Sequence, residues 1–142
     1  MIQKFVDIFM DNKDKLRSVF AQKHVKDYME VVKNVIQLIH DNFEQYEHTH
    51  EYYLYPPDPN LIHEINNGSY QGTLVYVIPE ECCQPSTHWY IRVNYGSCSG
   101  CDTLQRIVDC SGDPPSEKQL DDYMILAMHI VQGLKSMDGD DL

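Results

Sequence analysis

The residues best suited to chemistry sit in one short stretch, Tyr95-Gly96-Ser97-Cys98-Ser99-Gly100-Cys101-Asp102. Cys98 and Cys101 have the C-x-x-C spacing at which a tight turn brings two sulfurs to one side, and two thiolates so placed can ligate Zn²⁺. Tetrahedral zinc needs two further ligands, for which Cys82, Cys83, Cys110, His88 or the pair His48 and His50 are the candidates. A zinc module would show a second spaced pair, whereas Cys82 and Cys83 are adjacent. The same spacing serves dithiol redox chemistry. Here Asp102 sets negative charge beside the thiols, which disfavours a thiolate, and no βαβ pattern surrounds them. The plain structural use is tight packing: Gly96 and Gly100 free the backbone, and a cysteine without a partner behaves as a small buried hydrophobe. The backbone N–H groups of such a Gly/Ser turn can also hold an anion or a small ligand. The leading reading is this packed turn with no cofactor; a binding loop from Tyr95 to Asp102, zinc on Cys98 and Cys101, and dithiol redox chemistry are the alternatives.

A second cluster, Tyr46, Tyr52, Tyr53 and Tyr55, precedes Pro56, Pro57 and Pro59. Tyrosine offers a large contact area with few torsions, as interfaces require, although the same rings would serve equally as the rim of a core. No G-x-S-x-G, H-E-x-x-H or EF-hand pattern is present. Cys98 or Cys101 with His88 would make a nucleophile and base only if the fold brought them together. The sequence therefore leans away from an enzyme.

Charge points to a partner class. Eleven basic residues stand against 22 acidic ones, for a net charge of −11. The excess lies almost wholly in residues 51–142, which carry a net −10. A direct nucleic-acid binder needs lysine and arginine to neutralise phosphate, so that class is disfavoured. An acidic protein suits a protein partner with a basic surface, such as a nucleic-acid-binding protein whose polyanion it would mimic; solubility alone is the bland alternative. The five cysteines are odd in number and follow no export signal, which predicts free thiols or a metal site and a cytoplasmic location. No apolar run approaches the roughly 18 residues of a membrane span, so no membrane partner is expected.

The elements that must position these groups follow from periodicity. At 142 residues, 42% hydrophobic and 23% charged, the chain reads as one globular domain over residues 1–135 with a flexible acidic tail, 136–142. Apolar residues from Ile2 to Phe20 fall near one helical face, as one helix or two short ones. Val25, Tyr28, Met29, Val32, Val35, Ile36, Ile39 and Phe43 predict an amphipathic helix from His24 to Phe43, facing its own core or, in a homodimer, a twin subunit. A short helix or turn is expected around Leu61 to Ile65, then a turn at Asn66-Asn67-Gly68. Gly72–Ile78 and His88–Tyr95 read as an antiparallel strand pair. Leu104 to Val108 is read as a third strand in preference to a helix start. Ser116-x-x-Gln119 has the form of a capping box and opens a helix running to Leu134. The fold class is α+β, a small antiparallel sheet of two to three strands packed on one face against about three helices.

Tyr70-Gln71-Gly72-Thr73-Leu74, with Trp89-Tyr90 and Tyr95 through Gln105, resembles a group of small uncharacterised proteins of phages and other viruses. The resemblance covers roughly residues 64–108. It implies a viral origin and a host-cytoplasmic setting, but no reaction or cofactor. With the acidity it implies a non-enzymatic protein-binding module that inhibits a host nucleic-acid-handling or defence protein. The alternatives are a thiol-centred metalloprotein or enzyme built on Cys98 and Cys101, and a virion or scaffold component.

Overall fold

A computed structural model describes residues 2–43, 55–69, 71–97, 102–108 and 114–137. The first segment is one unbroken helix, α1 (Ile2–Phe20), burying Phe5, Ile8, Phe9, Asn12, Leu16 and Phe20. Asn12 does not interrupt it, because its amide donates to the Ile8 carbonyl at 2.8 Å and so enters the core satisfied. Helix α2 (Tyr28–Asp41) is shorter than its apolar pattern. Asp27 stops it at the N-terminus by accepting the Glu30 N–H at 2.9 Å. Val25 and Phe43 stay buried beyond the helix ends, which is why periodicity overestimates its length.

The sheet has four antiparallel strands in the order β1 (His63–Asn66), β2 (Gly72–Pro79), β3 (His88–Tyr95) and β4 (Lys135–Ser136). Strand β1 replaces the short helix or turn expected at Leu61–Ile65: its backbone pairs with β2, Glu64 opposite Tyr76 and Asn66 opposite Leu74. Strand β4 pairs Ser136 with Trp89 and Lys135 with Tyr90. Ser136, at the start of the expected tail, is buried there.

The stretch expected as a third strand is helical, α3 (Thr103–Val108). It buries Leu104 and Ile107, three positions apart, so one helical turn faces the core, and the Asp102 side chain caps its first turn by accepting the Gln105 N–H at 3.0 Å. Helix α4 (Glu117–Gly133) opens with the expected capping box: Ser116 Oγ accepts the Gln119 N–H at 3.2 Å, and Gln119 Oε1 accepts the Ser116 N–H at 2.8 Å.

The register gives the sheet two unlike faces. Leu74, Tyr76 and Ile78 oppose Val93, Ile91 and Trp89, and all six are buried. Helices cover this face; Phe5 of α1 meets Trp89 edge-on, with ring centroids 5.3 Å apart. Arg17 near the end of α1 ties the helical layer to α4, donating to Glu117 and Asp121 at 2.8 Å each. The other face carries His63 and Ile65 of β1, Thr73, Val75 and Val77 of β2, His88, Tyr90, Arg92 and Asn94 of β3, and Lys135 of β4. None of these strand residues is a carboxylate. The architecture is α+β, and no described helix is long and apolar enough to cross a membrane.

Candidate functional site

The covered sheet face extends past the helices near β1, leaving an open groove of about 960 Å³. Glu64 and Asn66 of β1 and Leu74 and Tyr76 of β2 line it, with Tyr95 and Gly96 at the end of β3. One wall is the turn between α1 and α2 with the start of α2, bringing Lys23, Lys26, Asp27 and Tyr28; the other is α3, bringing Leu104 and Gln105.

Three tyrosine hydroxyls beneath the groove are held by acceptors. Tyr28 donates to Asp102 Oδ1 at 2.8 Å, Tyr76 to Glu64 Oε1 at 2.7 Å, and Tyr95 to Asn66 Oδ1 at 2.7 Å. Burial pushes the Tyr28 hydroxyl up to about 12, with the Asp102 carboxylate adding to it against the Leu104 N–H, which favours the anion. Burial likewise raises Tyr76, reinforced by Glu64 and by the charge of Asp27. These phenols are therefore neutral donors at physiological pH, holding carboxylates in place rather than acting as bases.

Asp102 is the most heavily bonded group here. It is 3% exposed, and besides Tyr28 and Gln105 it accepts the Gly96 N–H through Oδ2 at 2.9 Å. Gln105 returns the contact, donating from Nε2 to the Gly96 carbonyl at 2.9 Å. Of the expected binding loop, Tyr95 and Gly96 line the groove, Ser97 is exposed, and Asp102 closes the loop at its base. Cys98, Ser99, Gly100 and Cys101 lie outside the described residues, as do Tyr46, Tyr52 and Tyr53. Tyr55 is described and exposed, and is not among the groove residues.

Pro79 pairs with His88 at one end of β2 and β3, and Gly72 with Tyr95 at the other. Cys82, Cys83 and His88 therefore stand at the end opposite Gly96 and Asp102, roughly 24 Å away along a seven-residue rise. That is far beyond the roughly 2.3 Å of a zinc–sulfur bond, so Cys82, Cys83 and His88 do not share an ion with Asp102. The Cys82 thiol is raised by desolvation and by the neighbouring Glu80, against a Gln84 backbone bond, and its Sγ lies 3.6 Å from Glu80 Oε1. Glu80 itself is buried and accepts from Ser86 N and Oγ at 2.8 and 3.1 Å, pinning the β2–β3 turn. Among the described residues, no group of three or more His, Cys, Asp or Glu is placed to hold a metal ion.

Sequence reasoning missed Tyr28, Glu64, Asn66 and Tyr76 as parts of one site. Tyr28 reads as core by periodicity, and so does Tyr76 by strand alternation; neither pattern shows where a hydroxyl goes. A signal was present for Asp102: Asp-x-x-Gln, from Asp102 to Gln105, is a helix-start pattern. No protein-family model matches the chain, and comparisons with curated proteins and with solved structures return no match.

Proposed function

We propose that this protein is an acidic, non-enzymatic protein-binding module that recognises a partner through that partner's basic surface. The observation that carries the reading is the placement of charge. Acids outnumber bases 22 to 11, and the described carboxylates avoid the open sheet face. The three acids of α1, Asp7, Asp11 and Asp14, are offset by Lys4, Lys13, Lys15 and Arg17, and the excess of acid lies in residues 51–142, where Glu117, Asp121 and Asp122 stand on the first turns of α4. A surface of this kind steers and orients a cationic partner. The likeness of residues 64–108 to small viral proteins supports a host nucleic-acid-handling or defence protein as the partner class.

The reading is tested by fluorescence anisotropy with labelled 12-residue peptides that are basic, neutral or acidic but equal in length and apolar content. Binding of the basic peptide well above the neutral and acidic ones is expected. Equal binding of all three, or of none, overturns it.

A further inference from the structure

We infer that the groove receives an arginine side chain of the partner, with Glu64 and Asp27 as its anionic receptors. This rests on the proposed recognition of a basic partner and names where that recognition is specific. The two carboxylates are fixed by independent bonds: Glu64 Oε1 accepts the Tyr76 hydroxyl, and Asp27 Oδ1 accepts the Glu30 N–H as the cap of α2. Each retains a second carboxylate oxygen for a ligand. Both line the groove, with Tyr76. Fixed carboxylates lose little freedom when a cation arrives, unlike acids on a solvated helix face.

The groove also suits the rest of the side chain. Leu74 and the half-exposed ring of Tyr95 lie along the covered sheet face, where an arginine stem can pack. A guanidinium presents several N–H donors in a plane and can serve two carboxylates at once, which a lysine ammonium does less specifically. Lys23 and Lys26 also line the groove, from the turn before α2. Both are exposed, and their hydrated ammonium groups suit the backbone carbonyls flanking the arginine on the ligand.

The test uses the full ¹⁵N-labelled chain and acetylated, amidated Gly/Ser heptapeptides whose central residue is Arg, Gln or Glu. The arginine peptide is expected to move the amide signals of Asn66, Leu74 and Gln105. Glu64→Gln should weaken it at least about tenfold, the scale of a lost charge-assisted hydrogen bond, while the amide oxygen it introduces still accepts the Tyr76 hydroxyl and keeps the fold. Arginine-dependent shifts confined to α1 would overturn the groove assignment and leave the acidic-module reading standing. Binding of the glutamate peptide in the groove would overturn it too, by showing that Lys23 and Lys26 govern the site. No binding of the arginine peptide together with no binding of the 12-residue basic peptide would overturn both.

Discussion

The Tyr28 hydroxyl donates to Asp102 Oδ1 at 2.8 Å and accepts the Leu104 N–H at 3.0 Å, joining the first turn of α2 to that of α3 across 74 and 76 positions of sequence. One hydroxyl thereby satisfies a buried carboxylate and a helix-terminal N–H. Tyr28→Phe removes a donor and an acceptor at once while keeping the ring. Leaving two buried groups short of partners should destabilise the protein by about 1–3 kcal/mol, measured by urea denaturation. A change under about 0.3 kcal/mol would show that water replaces the hydroxyl without loss.

A pH effect follows from His40 at the C-terminal end of α2. Its ring bonds to Asp41 at 3.0 Å and, across the fold, to Glu81 just after β2. Partial burial lowers its pKa, but the hydrogen bonds and charges of the two carboxylates outweigh this and raise it above the ordinary 6.5. The folded value exceeds the unfolded one, so the contribution to stability is fully present below 6.5 and is lost as pH rises through the folded pKa. The stability gap between the natural protein and His40→Asn should therefore be widest below pH 6.5 and narrow as pH rises through the raised folded pKa. A gap that widens with pH would contradict the assignment.

The turn between β1 and β2 is set by backbone crowding at Gly68. A Cβ added there would fall 2.1 Å from the Gln71 carbonyl oxygen, a backbone atom that cannot swing aside. Gly68→Ala should cost about 1–3 kcal/mol and loosen Asn66, whose Oδ1 accepts the Gly68 N–H at 3.0 Å. Circular dichroism melting and the amide signals of β1 report both effects; a wild-type melting curve would refute the turn geometry.

Arg17 predicts a salt effect on stability rather than on partner binding. Its fork to Glu117 and Asp121 joins α1 to α4 at an exposed site, where ion pairs are screened. Arg17→Gln should lower the melting temperature modestly at low salt and hardly at all near about 1 M. Equal losses in both conditions would mean that the arginine acts by packing instead.

The legible parts of the fold were those fixed by local pattern. The apolar stripes of α1, α2 and α4, the Ser116 capping box and the β2–β3 pair all satisfy short-range rules, so periodicity found them. Strand β1 did not announce itself, because His63-Glu64-Ile65-Asn66 has little strand preference and forms by pairing with β2. Helix α3 reads as a strand in sequence because six residues are too few for periodicity to decide; the Asp102 cap makes it a helix. The groove was not legible because it needs β1, the turn after α1, and α3 side by side. Its key bonds, Tyr28 to Asp102 and Tyr76 to Glu64, depend on that tertiary placement.

The most direct test of the central claim is the salt dependence of affinity for the basic 12-residue peptide, measured by anisotropy between about 50 and 300 mM salt. Recognition by an acidic surface predicts a steep, continuous loss of affinity across that range as screening shortens the reach of charge. An affinity that holds constant with salt would contradict it, and would move the interface to the acid-free face of the sheet around Val75, Val77 and Tyr90.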